Sequence, residues 1–171
     1  ITLVFCSSQN LDRLVSLYRA VKRTGCVLVL DLYTAYTLRA LRCISDRLPQ
    51  FECSEVRVKF WKNQADRLAD AGLAEFLYEV RPKMISVEEI VARREKIVML
   101  AKGSGLFTKV TDRLPELAGV QLIWSMWPGY LTGEDAVSRF CANHGVELEH
   151  IHTSGHASVE DLQRLAAAIK P

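Results

Sequence analysis

The sequence predicts an α/β domain with a mainly parallel sheet and helices on both faces. Three observations carry this. Apolar, β-prone runs alternate with amphipathic helical stretches about six times along 171 residues. One run, CVLVLDLYT (26–34), is apolar almost without a break, as in strands buried on both faces. Strand, helix and strand then fit within the first ~30 residues, the length of a βαβ unit, whose strands are parallel and whose crossover is right-handed.

The elements follow in order. ITLVFC is a short apolar strand ending in the polar loop SSQN, where Asn10 can cap a helix. Leu11, Leu14, Val15, Tyr18 and Val21 recur at helical spacing, and Gly25 supplies the stop. After the second strand, AYTLRALRCISDRL (35–48) predicts a helix with Leu38, Leu41, Ile44 and Leu48 on one side, closed by Pro49. EVRVKFW alternates as a strand, and NQADRLADAGLAEFLYEV (63–80) reads as a helix crossed by Gly72. Stretches 49–55 and 81–85 predict irregular connections.

SVEEIVARREKIVML admits two readings. It is either one helix started by a Ser86–Glu89 capping box, or a short helix to about Arg94 followed by the strand KIVMLA. The second is preferred, because Ile97 to Leu100 is unbroken and KGSG follows directly. A helix is expected over roughly 107–117, then the strand VQLIWSMW closed by PGY. Thr132 and Asp135 box the next helix, which Gly145 ends. VELEHIHTS is the last strand. Ser158 and Asp161 cap a final helix with the stripe Val159, Leu162, Leu165, Ala166 and Ile169. No repeat or long linker divides the chain, so residues 1–171 read as one domain in a three-layer, Rossmann-like arrangement.

Composition narrows the function classes. Hydrophobic residues are 49% and charged residues 25%, ordinary for a globular domain. A formal charge of +2 gives no sign of a polyanion-binding surface in total, although a locally basic groove remains open. No apolar run reaches the ~20 residues of a membrane span, and no secretory signal opens the chain, so no membrane partner is expected. The five cysteines are odd in number and none lies in a C-x-x-C pair. They read as reduced thiols of a cytoplasmic protein rather than a zinc site. A strand-type residue at position 1 and a proline at 171 suggest a piece of something longer. A homo-oligomer is a candidate assembly.

Four strand-end loops are small and polar: SSQN (7–10), KGSG (102–105), SMWPGY (125–130) and TSGHAS (153–158). Such loops let an anion approach backbone N–H groups at helix starts. Each also has a plain structural account as a cap or turn, and KGSG lacks the spacing of a P-loop. Trp124 and Trp127 read first as packing residues. His144 suits the end of its helix. His150 and His152 either face solvent or satisfy a buried bond. His156 differs: it follows a glycine just ahead of a helix cap, where its ring would be displayed. The helix start disfavours imidazolium and a bound phosphate favours it, which suits a proton donor that charges when substrate binds.

HTSGHASVEDLQRLAAAIKP resembles the S-G-H or S-A-H motif of the β-CASP branch of metallo-β-lactamase-fold proteins, the branch containing ribonuclease J and the cleavage-and-polyadenylation endonuclease. LVFCSSQNLDRLVSLYRA is similar to that family's strand, serine-rich loop and helix. KIVMLAKGSG and IWSMWPGY resemble two further strand ends. The resemblance spans most of the chain in order, with S-G-H as its specific motif. It implies that His156 is the catalytic histidine beside the metal centre and scissile phosphate. Ser154 and Gly155, with His152, would contact phosphate, and Ser7, Ser8 and Asn10 would help hold the nucleic-acid backbone. Trp124, Trp127 or Tyr130 would be available to stack a base.

The family binds zinc through H-x-H-x-D-H in its metallo-β-lactamase domain, and this sequence contains no such motif. The resemblance therefore implies a substrate-clamp domain whose zinc belongs to the full-length protein, with no metal and no turnover expected in this stretch alone. Its partners would be RNA or DNA and its own metallo-β-lactamase domain, outside this chain. Two alternatives stand beside a phosphodiester hydrolase: a hydrolase of the same fold with a non-nucleic substrate, and a non-catalytic α/β binding module. The nuclease reading requires the serine-rich corner and the glycine–histidine corner to share one edge of the sheet.

Overall fold

The computed structural model describes residues 1–152 and 159–169. Among these, seven strands form one sheet: β1 (Thr2–Phe5), β2 (Val27–Asp31), β3 (Val56–Lys59), β4 (Met84–Ile85), β5 (Ile97–Ala101), β6 (Gln121–Trp124) and β7 (Leu148–His150). Their order is β4-β3-β2-β5-β1-β6-β7, and every pairing is parallel. The helices are α1 (Leu11–Thr24), α2 (Leu32–Ala40), α3 (Lys62–Asp70), α4 (Ala74–Val80), α5 (Val87–Ala92), α6 (Thr108–Thr111), α7 (Ala136–His144) and α8 (Val159–Ile169). This is the three-layer α/β fold that the alternation predicts.

Strand alternation divides the core in two. Val4 and Cys6 of the first strand segment face the same side as Leu14 and Val21 of α1, Ala35 and Leu38 of α2, and Phe76 and Val80 of α4. Leu3 and Phe5 face the other, with Ile90 of α5, Val110 of α6, and Val137 and Phe140 of α7. Period-two alternation forces this split, since successive side chains leave a strand on opposite faces. On the second face an aromatic chain runs through the core. Phe5 meets Phe107 edge-on at 5.2 Å, and Phe107 meets Phe140 edge-on at 5.3 Å.

Several local signals act as read. Asn10 Oδ1 accepts the Arg13 N–H at 3.1 Å, and Gly25 closes α1 in the left-handed region. Ser86 and Glu89 form the reciprocal capping box, and the short-helix-then-strand reading of 86–101 holds. Gly145 ends α7 with φ near 63°.

Other expectations are corrected. α2 starts at Leu32, because the Asp31 carboxylate takes the Thr34 N–H at 2.7 Å and turns strand into helix. It ends at Ala40 rather than near Leu48. There the Gln50 amide donates to the Leu38 carbonyl at 2.9 Å, occupying an acceptor that the next helical turn would have used, and Ile44 is exposed. Residues 63–80 form two helices, because Gly72 adopts φ near 77° and breaks the ladder. The stretch 81–85 contains the edge strand β4. α6 is four residues long, far shorter than the expected 107–117 helix. Asp135, not Thr132, caps α7: its carboxylate accepts the Val137, Ser138 and Thr132 N–H groups. Ser158 lies outside the described residues. The stripe of α8 is exposed, from Leu162 at 53% to Val159 at 71%, so nothing described covers it.

Phe107→Ala should lower the unfolding free energy by about 3–5 kcal/mol, read as a shifted urea midpoint, because it opens a cavity between two rings. Burial works against the Asp135 charge, but bonds from Ser138 and Thr132 overcome it and lower the carboxyl from 3.8 to about 2. Its stabilisation is therefore present above pH ~4 and lost as pH falls toward 2. Asp135→Asn keeps a competent cap without that charge. The stability gap between the two proteins, followed by urea titration, should close across that interval.

Candidate functional site

Parallel strands bring all their carboxyl ends to one edge. The chain leaves β1, β2 and β3 toward the β4 side over one face, by α1, α2 and α4. It leaves β4, β5 and β6 toward the β7 side over the other, by α5, α6 and α7. Between β2 and β6 the departing segments therefore part to opposite faces, the position where open α/β sheets form a crevice. A cleft of about 810 Å³ lies there.

Three of the four polar loops meet in it. Ser7 and Ser8 come from the end of β1, Lys102, Gly103 and Ser104 from the end of β5, and Met126 and Tyr130 from the end of β6. Asp31 and Tyr33 enter after β2, and the first turns of α3 add Asn63, Gln64 and Arg67. The described chain before the fourth loop, up to His152, runs to the same edge. β7 pairs with β6, the Ile151 N–H donates to the Trp124 carbonyl at 3.0 Å, and Ser125 Oγ donates to the Ile151 carbonyl at 2.6 Å. The ends of β1 and β7 are two strand spacings apart, ~10 Å. Ser154, Gly155 and His156 lie outside the described residues.

A hydrogen-bonded chain crosses the cleft floor. Lys102 Nζ donates to the Cys6 carbonyl at 3.3 Å and to Ser8 Oγ. Ser8 Oγ lies 2.7 Å from Thr34 Oγ1. The Thr34 N–H donates to Asp31 Oδ1, and Gln64 Nε2 donates to Asp31 Oδ2 at 3.2 Å. Ser8, Thr34 and Asp31 are all buried, so each is satisfied by the others. Among the described residues, Gln64 Oε1 is buried with no partner, an acceptor left over in the cleft wall.

The chemistry of the cleft centres on Lys102. Two of its three ammonium protons go to neutral oxygens, leaving one donor. Among the described residues neither Lys102 nor Arg67 forms an ion pair with a carboxylate. Asp31, the acid within the cleft, has both oxygens committed to the floor. A half-buried, unneutralised cation beside exposed Ser7 and the small Gly103–Ser104 turn suits an anionic ligand. Cys6 is not a nucleophile here: burial raises its thiol to about 11, against the pull of Lys102.

The sequence-predicted residues divide. Ser7 is exposed in the cleft. Ser8 is there too, but its hydroxyl is held by Lys102 and Thr34, so it orients the lysine. Asn10 does not line the cleft, and its side-chain oxygen serves α1. His152 and His150 face solvent at the end of β7. His144 stacks on Phe140 at 4.6 Å, a structural contact. Trp124 is 3% exposed and belongs to the core, so it is removed from the base-stacking candidates. Asp31, Gln64 and Arg67 are cleft residues outside the loops that the sequence singles out, whereas Lys102 lies in one of them, KGSG, without being among the sequence-predicted site residues. Lys102 and Asp31 share one available signal: each is a polar residue at the carboxyl end of a buried parallel strand, Asp31 the last residue of β2 and Lys102 the first after β5.

Compared with protein-family models and with curated protein sequences, the chain matches none. No helix among the described residues is long and apolar enough to cross a membrane, and no three His, Cys, Asp or Glu side chains among them gather as a metal site.

Ser8→Ala should destabilise the protein by about 1–3 kcal/mol, because Thr34 and Lys102 each lose a buried partner. Adding Thr34→Val removes one of those stranded groups. In chemical denaturation the double variant should therefore lose less than the sum of the two single losses.

Proposed function

We propose that this chain is the substrate-clamping, β-CASP-like part of a metal-dependent hydrolase of cytoplasmic location that cuts phosphodiester bonds in RNA or DNA. The observation that carries the reading is Lys102, an ammonium without a carboxylate partner among the described residues, fixed by Ser8 and Cys6 at the carboxyl edge of the sheet. Five unpaired cysteines suit a reducing compartment.

The described residues of this chain do not gather as a metal site; in this reading an H-x-H-x-D-H motif in a metallo-β-lactamase domain would hold the metal, which would supply Lewis-acid polarisation of the phosphate. The present chain binds and orients. Lys102 donates its remaining proton to a phosphate oxygen, with Ser7 beside it as a further hydroxyl donor. Asp31, Thr34 and Ser8 hold the lysine in place, so no reorganisation accompanies binding. His156 donates a proton to the leaving oxygen, a role that rests on the S-G-H motif. The formal charge of +2 favours, as a second reading, a small non-nucleic phosphoester over a polyanion.

The test uses full-length protein with its metal, on RNA, DNA and a small phosphodiester. His156→Ala should lower kcat about 10²- to 10⁴-fold. Lys102→Gln should weaken substrate binding about 10- to 100-fold and reduce the slope of log K against log salt by about one, which a purely structural lysine would not do. Turnover of the small ester with no cleavage of either polymer selects the second reading. Cleavage indifferent to both substitutions defeats the clamp.

A further inference from the structure

The turn after β6 holds two large rings out of the protein. Trp127 is 61% exposed and Tyr130 63%, while Trp124, three residues before, takes the core position. The rings meet edge-to-face at 5.5 Å and 90°. A Cβ built on Gly129 would lie 2.2 Å from the Trp127 ring, so the indole rests directly on that glycine's backbone. Gly129 lies against the indole, yet most of Trp127 remains exposed.

The turn is fixed rather than loose. The Tyr130 N–H donates to the Trp127 carbonyl at 3.2 Å, the Leu131 N–H to the Pro128 carbonyl at 2.9 Å, and Trp124 Nε1 to the Trp127 carbonyl at 3.3 Å. Tyr130 also lines the cleft that contains Lys102 and Arg67. Tyr130 thus links the exposed Trp127 ring to a cleft holding two cations that lack carboxylate partners among the described residues. An apolar protein surface would cover the ring but leave those cations desolvated beside it. A nucleotide supplies both halves: a planar base for the ring and a phosphate for the cations.

We propose that Trp127, with Tyr130 bracing it, is a stacking platform for an unpaired nucleobase whose own strand places a phosphate in the adjoining cleft. The platform rests on the clamp reading above and adds a specificity to it: the strand must be single at that nucleotide, because a base inside a duplex has both faces covered by its stacked neighbours. Trp127 is the specificity residue. Gly129 is a positioning residue, since any side chain there displaces the indole.

The experiment measures binding of full-length protein to a labelled single-stranded oligonucleotide and to the same strand made of abasic nucleotides. Trp127→Ala should weaken binding of the normal strand about 5- to 150-fold and leave the abasic strand unchanged. Trp127→Phe should retain most of the affinity. Gly129→Ala, which keeps the indole but moves it, should reproduce the loss on the normal strand. Equal losses on normal and abasic strands overturn the platform and mark the ring as a contact for protein. No loss with Trp127→Ala, while Lys102→Gln still impairs binding, overturns the platform and leaves the clamp standing. Failure of the unaltered protein to bind either strand defeats both.

Discussion

The seven described strands, all running in one direction, impose the geometry on which everything else depends. In a parallel sheet the carboxyl ends cannot be distributed; they gather on one rim, where helices begin. The order β4-β3-β2-β5-β1-β6-β7 places β5 between β2 and β1. Lys102 is thereby brought to Ser8 across a separation of 94 residues, and Ser8 to Thr34 across 26. Contacts this distant in sequence fix the rim only once β1, β2 and β5 are paired.

Right-handed crossovers then decide which helices flank the rim. Segments leaving β1, β2 and β3 pack on one face and those leaving β4, β5 and β6 on the other, consistent with a single handedness and two directions of travel. The crevice is where the directions diverge, so its walls come from unrelated stretches of chain. Its floor is a buried polar chain from Lys102 to Gln64, and low dielectric strengthens each of its bonds while making any loss expensive. That coupling holds the ammonium still with no carboxylate paired to it among the described residues.

Much of the fold is legible in the sequence because its signals are local. Asn10, Gly25, the Ser86–Glu89 pair and Gly145 each act within one turn, and each behaves as read. The misreadings come from contacts made over longer distances or from backbone conformation. Gln50 takes the Leu38 carbonyl from twelve residues away and ends α2 early; periodicity in 35–48 gives no warning of that. Gly72 divides one amphipathic pattern into two helices by adopting a positive φ. β4 consists of two residues paired only to β3, too short for any period to register. The site was legible in its loops but not in its chemistry. SSQN and KGSG announce themselves by composition. The value of Lys102 lies in its neutral partners, which three segments supply. Gln64 and Arg67 reach the cleft from a helix that looks merely amphipathic.

The two margins of the sheet carry a consequence for how the molecule meets copies of itself. β4 offers two residues and β7 three, and the latter includes exposed Glu149 and His150. A second chain seeking to extend the sheet would find a hydrogen-bonding ladder of at most three rungs, interrupted by charge. Among the described residues, strand-by-strand accretion, the route to fibrous aggregates, is disfavoured at both margins by brevity and at β7 by the exposed Glu149 as well.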